Sequence, residues 1–243
     1  MKRARILILL AAIVPAAAPS NAEDAKIERH GDTAVLSVHT FRPLDAIAEE
    51  LESEFGIAVS AEDPVFQFRG DMMDISPEDP RLRAGTLVPA RWGFEVTFSI
   101  NPDGSPKSAQ DILASIVAEA NRHSDFGWRL DKTDGVYFFV PTRTHDAQGR
   151  VVAATALLDR PLTIPPGLRR INESAELLVA DLSRQTGLNV SCCEGPIAGI
   201  PWGMEQMNFS ADHEPARSVL LRLGLRHWHA RCDMDFCGVF KWL

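Results

Sequence analysis

Residues 43–59 read PLDAIAEELESEFGIAV, and residues 174–190 read SAELLVADLSRQTGLNV. Laid over one another without a gap, Ile47 meets Leu178, Leu51 meets Leu182, Gly56 meets Gly187 and Val59 meets Val190. Leu44, Ile47, Ala48, Leu51 and Phe55 recur at helical spacing, so they form one apolar stripe. Glu49, Glu50, Glu52 and Glu54 lie off that stripe and read as a solvated face rather than a carboxylate pair. Each glycine stands where a helix needs a left-handed residue to stop, and a short apolar run follows. Both stretches therefore read as helix, glycine stop, strand.

The likeness continues outward. Val96–Phe98 parallels Met207–Phe209, and each is followed by a helical pattern, about 108–121 and 215–223. Ser108 and Pro215 are helix-start signals. Trp128–Leu130 and Val136–Val140 flank Asp134-Gly135, a hairpin turn pair. Trp228–Cys232 and Gly238–Leu243 repeat that pattern at the end of the chain. Ala34–His39 and Leu162–Ile164 supply a strand before each first helix. The expected fold is α+β: two tandem βαββαββ-type small domains, each with two helices packed on a small mixed sheet. The expected boundaries are 1–22 for an export signal, 23–141 for the first domain, 142–160 for a linker with an edge strand, and 161–243 for the second.

Lys2, Arg3 and Arg5 precede nine apolar residues, Ile6–Val14, and a small-residue stretch ending Ser20-Asn21-Ala22. This is the pattern of a secretory signal peptide cleaved after Ala22, and it implies a periplasmic or secreted protein. Removing those three cations takes the net charge from −8 to −11. An acidic chain lacks the clustered positive charge that nonspecific nucleic-acid binding needs. No later apolar stretch reaches the ~18 residues of a spanning helix, so the mature chain is expected to carry no integral membrane segment. In an oxidising compartment Cys192, Cys193, Cys232 and Cys237 read as disulfides. Two bridges from 192/193 to 232/237 satisfy all four. A 232–237 bridge leaves Cys192 and Cys193 as an adjacent pair or free thiols.

A strand, then P-L-x-x-I-A-x-E-L-x-x-x-x-G-I-x-V over Leu44–Val59, with Leu177–Val190 as its second copy, leads to helices over Ala109–Leu113 and Ala216–Leu223 and a Trp-containing hairpin. Together these resemble the short N-terminal domain shared by secretins and TonB-dependent transducers. The pattern departs from that family in the extra residues Asp71–Gly93 and in the four Cys, which have no counterpart in the first copy. The resemblance implies a small periplasmic contact module that meets an envelope or periplasmic protein. No barrel or ring domain is expected from the second copy onward.

Among candidate sites, His227 and His229 flank Trp228 at strand spacing and can hold a metal, with His213, Asp233 or Asp235 as a third ligand. The alternative is a half-exposed strand with Trp228 in the core. Asp71, Asp74, Glu78 and Asp79 offer oxygen ligands but match no calcium loop. Trp92 and Trp202 each precede a central strand, either covering their own core or anchoring a partner. Asp212-His213-Glu214 reads as a helix cap. No G-x-S-x-G, H-E-x-x-H or G-x-x-x-x-G-K-[ST] is present, so no catalytic residue and no cofactor is assigned. The expected function is an exported interaction or scaffold module. The alternative is a small secreted metal-binding protein or hydrolase built on the C-terminal copy.

Overall fold

The computed structural model describes residues 25–78, 81–188, 190–193, 206–223, 229–232 and 239–241, with 191–193, 229–232 and 239–241 described by backbone alone. Among the described residues the architecture is α+β, with four α-helices and several small sheets. Among the described residues, no helix is long and apolar enough to cross a membrane.

The first segment opens with strands β1 (Lys26–His30) and β2 (Thr33–Thr40). Helix α1 (Pro43–Phe55) ends at Gly56, whose φ of 64° is the left-handed stop read from the sequence. Strand β3 (Val59–Ala61) follows, then a 3₁₀ turn (Arg69–Asp71) and a hairpin of β4 (Met72–Asp74) with β5 (Leu87–Pro89). The stretch expected as extra loop thus carries its own small hairpin. Strand β6 (Trp92–Ser99) pairs antiparallel with β2. Helix α2 (Ala109–His123) starts at Ser108, whose hydroxyl accepts the Asp111 N–H as expected. Strands β7 (Trp128–Thr133) and β8 (Val136–Pro141) turn at Asp134-Gly135, both at positive φ.

The polar stretch after Thr142 is not a bare linker. It forms β9 (Arg143–His145), which pairs with β10 (Val151–Ala153). A 3₁₀ turn (Leu157–Asp159) then buries Leu157 and Leu158. The second segment runs β11 (Pro161–Arg170), α3 (Ile171–Thr186), β12 (Val190–Cys193), β13 (Gln206–Pro215), α4 (Ala216–Arg222), β14 (His229–Cys232) and β15 (Val239–Lys241). Helix α3 begins three residues before the aligned stretch because the Glu173 carboxylate accepts the Arg170 N–H at 2.9 Å. Asp212-His213-Glu214 lies in strand β13 instead of capping α4. Glu214 accepts a hydrogen bond from Arg222, and Pro215 is the residue before the helix.

The order βαββαββ occurs in both segments: β2, α1, β3, β6, α2, β7, β8 and then β11, α3, β12, β13, α4, β14, β15. The strand pairings differ. β3 lies parallel beside β8, whereas β12 lies antiparallel beside β14, and β15 reaches across to β3. One six-stranded sheet, β12-β14-β15-β3-β8-β7, therefore draws on both segments.

Two apolar clusters fill the interior, and β8 serves both. Phe139 packs with α1, α2, β2 and β6, while its neighbours Phe138 and Val140 pack with α3, α4, β11 and β13. Alternating side chains of a strand point to opposite faces, so a strand apolar at every position is one covered on both sides. Glu62 follows β3, with its N–H bonded to Phe139 O. It is 2 % exposed and meets Arg217 of α4. One Glu62 oxygen accepts the Leu158 N–H at 3.0 Å, and the other accepts Arg217 Nη2 at 2.9 Å. Arg217 Nη1 donates to Asp159 at 2.6 Å, and Arg129 of β7 donates to the other Asp159 oxygen at 2.6 Å. The Arg217 guanidinium also lies 5.2 Å from the centre of the Phe138 ring. This ion network bolts the first segment to the second through the connecting turn.

Candidate functional site

Between the start of α1, the loop after β3, the start of β6 and the end of α2 lies a cavity of about 210 Å³. Its walls are aromatic and charged. Trp92 is half-buried, with its ring 5.7 Å from that of Phe94 and 6.5 Å from that of Trp128, in both cases near parallel. Phe126 meets Phe66 edge-on at 5.5 Å and the His145 ring at 5.3 Å. Edge-to-face contacts of this kind hold rings in place at little cost in freedom.

Each wall residue has a local reason for its position. Asn121, near the end of α2, brackets the Trp128 backbone: its amide donates to Trp128 O at 2.9 Å, and its oxygen accepts Trp128 N–H at 2.5 Å. Gly127 sits at φ 61°, and a Cβ there would fall 2.4 Å from Arg143 Nε, so the turn into β7 requires glycine. Thr144 Oγ1 donates to Val65 O at 2.6 Å and ties β9 to the cavity loop. That tie brings His145 to Asp71, with Nδ1 2.8 Å from Oδ1, while Nε2 lies 3.9 Å from Asp125. Arg42 Nε lies 2.8 Å from Asp63.

Two polar atoms of these walls, Trp128 Nε1 and Asp71 Oδ2, are sealed from water without a hydrogen-bond partner among the described residues. Leaving such a group unmet costs about 1–3 kcal/mol. Native proteins rarely tolerate this unless the site has another use. Burial pushes the Asp71 carboxyl above its ordinary range, against the opposing pull of His145.

The His145 ring is held by Asp71 at Nδ1 and lies near the exposed Asp125 at Nε2. The one hydroxyl among the described lining residues, Ser124 Oγ, accepts the Phe126 N–H. Among the described residues, no group of three or more His, Cys, Asp or Glu is arranged to hold a metal. Of the four candidate oxygen ligands, Asp71 pairs with His145, Asp74 accepts from Ser76, Glu78 accepts from Arg91, and Asp79 lies outside the described residues.

Of the residues singled out by sequence, Trp92 lines the cavity, and Trp128 is buried beside it in the core. His213 is exposed on β13 with φ 55°. Residues 1–22, Trp202, His227 and Cys237 lie outside the described residues. His229, Cys192, Cys193 and Cys232 are placed by backbone register: Cys193 opposite His229, Cys192 opposite Ala230, and Cys232 opposite Val190. Sequence reasoning missed His145 and Phe126. His145 falls within a polar stretch that looked like a linker, and the only signal for Phe126 was its place just before Gly127-Trp128. No protein-family model, curated protein or solved structure matches this chain.

Proposed function

We propose that this chain is an exported, non-catalytic binding module of the periplasm, related to the short N-terminal domain of secretins and TonB-dependent transducers, and that its partner is an envelope protein that engages the cavity beside Trp92. The observation that carries the reading is the cavity itself: rings from several separate elements line it, and Trp128 Nε1 and Asp71 Oδ2 in its walls find no hydrogen-bond partner among the described residues. Concave, mostly apolar sites with a few converging polar groups are where proteins take up ligands. The export pattern at residues 1–22 and the mature acidic balance fit the same reading.

The test is site-specific photocrosslinking in cells that express the full chain. A crosslinker at the exposed rim residue Asp125 is expected to trap one identifiable envelope protein. The adduct should be absent with the crosslinker at Lys107, away from the cavity, and with Ala90→Trp, which fills it. The same adducts at both positions, or a chain that fractionates with the cytoplasm, would overturn the proposal.

A further inference from the structure

We infer that His145 is a proton-operated clasp on the cavity wall: with a proton added its ring draws Asp125 in and fixes residues 124–126, and with the proton gone it releases them. This rests on the binding-module reading and names how that site is regulated. One imidazole stands between two carboxylates that come from two other elements. His145 belongs to β9, Asp71 to the 3₁₀ turn, and Asp125 to the loop between α2 and β7. Nδ1 lies 2.8 Å from Asp71, and these side chains are 14 % and 9 % exposed. Nε2 lies 3.9 Å from Asp125, which is 78 % exposed. A neutral imidazole has a single N–H. Spent on Asp71, it leaves a bare lone pair toward Asp125 and two like charges across the ring. A second proton makes Nε2 a donor and supplies a positive charge that both acids share. The Asp71 contact therefore survives in either state, and the Asp125 contact is the one the proton makes or breaks.

The other charges around the ring are engaged elsewhere. Arg69, in the turn of Asp71, donates to Met72 O at 3.0 Å. Arg143, two residues back on β9, lies beside Gly127. Asp146, next in the chain, pairs with Arg150. Phe68 and Phe126 meet the ring at 6.1 and 5.3 Å, and Val151 is its register partner on β10. Of the charges that act on the Asp71 carboxyl, His145 lowers it and Asp125 raises it, so the three groups are one electrostatic unit. Phe126 carries the effect into the cavity. It follows Asp125 in the chain, lines the cavity, and packs on both Phe66 and His145. An ion pair with so exposed a carboxylate shifts the held-to-released ratio by about two- to fivefold.

The experiment places 4-fluorophenylalanine at Phe126 of the full chain and follows its fluorine resonance from pH 5 to 8. In the otherwise wild-type protein the resonance should move as pH rises, reporting that shift. His145→Gln should flatten the response. Asp125→Asn, an exposed change that does not risk the fold, should remove most of it. His123→Gln should preserve it, because His123 stacks on Phe94 and lies 3.8 Å from Glu119, outside the clasp. A wild-type resonance that ignores pH, a response kept in His145→Gln or Asp125→Asn, or one lost in His123→Gln overturns the clasp. The photocrosslink at Asp125 reports separately on the binding-module reading. Capture of an envelope protein without a pH response leaves the module and removes the clasp. A pH response without capture keeps the proton-sensitive wall and removes the module.

Discussion

The ion network between the two segments makes the sharpest prediction. Arg217 is buried, with hydrogen bonds to Glu62 and Asp159 and its guanidinium over Phe138. Arg217→Met keeps the bulk but strands Glu62 in the interior. Removing one partner of a buried pair costs about 3–5 kcal/mol, because the other charge is left uncompensated. Burial already raises Glu62 to about 7 even with Arg217 present, against an ordinary value of 4.5. The folded chain thus holds this proton between those values while the unfolded chain has released it. Stability from this group is full below pH 4.5 and falls as pH rises, by roughly 3 kcal/mol in all once pH has passed 7. Glu62→Gln keeps an acceptor for the Leu158 N–H and removes that slope. Burial works to raise Asp159 as well, but hydrogen bonds from Arg129 and Arg217 outweigh it and hold the carboxyl below its ordinary range, so its loss falls at more acidic pH. Burial also raises Asp71, with the same sign as Glu62, so the readout is the difference between wild type and Glu62→Gln. Urea unfolding followed by tryptophan fluorescence from pH 5 to 8 measures it. Wild type should lose stability relative to Glu62→Gln as pH rises. Arg217→Met should be far more damaging at pH 8 than at pH 5, with Glu62→Gln restoring much of the loss. Parallel pH curves for wild type and Glu62→Gln would refute the reasoning.

Other outcomes follow from the packing. A Cβ on Gly93 would fall 2.0 Å from Val38 O across the β2–β6 pairing, so Gly93→Ala should cost about 1–3 kcal/mol in urea unfolding. Phe138→Ala and Phe139→Ala empty opposite faces of β8, and each should cost about 3–5 kcal/mol. Because both clusters rest on that strand, calorimetry should show one unfolding transition, and two separate ones would mean the segments fold independently. Protein recovered from the periplasm should begin at Glu23 by N-terminal sequencing, and an intact Met1 would remove the export reading.

Local signals in this chain were legible because they need only a few neighbouring residues. The stripe Leu44–Phe55 with its Gly56 stop, the cap at Ser108 and the Asp134-Gly135 turn all appear where helical spacing and turn chemistry put them. The run Val136–Val140 is apolar at every position, and an unbroken apolar strand implies cover on both faces.

The sequence by itself determined the helices, their stops, most strands and the recurrence of the βαββαββ order, because hydrophobic period and backbone preference act over a few residues. Only the tertiary structure decided that one sheet would serve both segments. It alone set Glu62 against Arg217, 155 residues apart, and folded a polar stretch back so that His145 met Asp71. Those partners are chosen by which faces of distant elements must cover one another, and no local pattern records that choice.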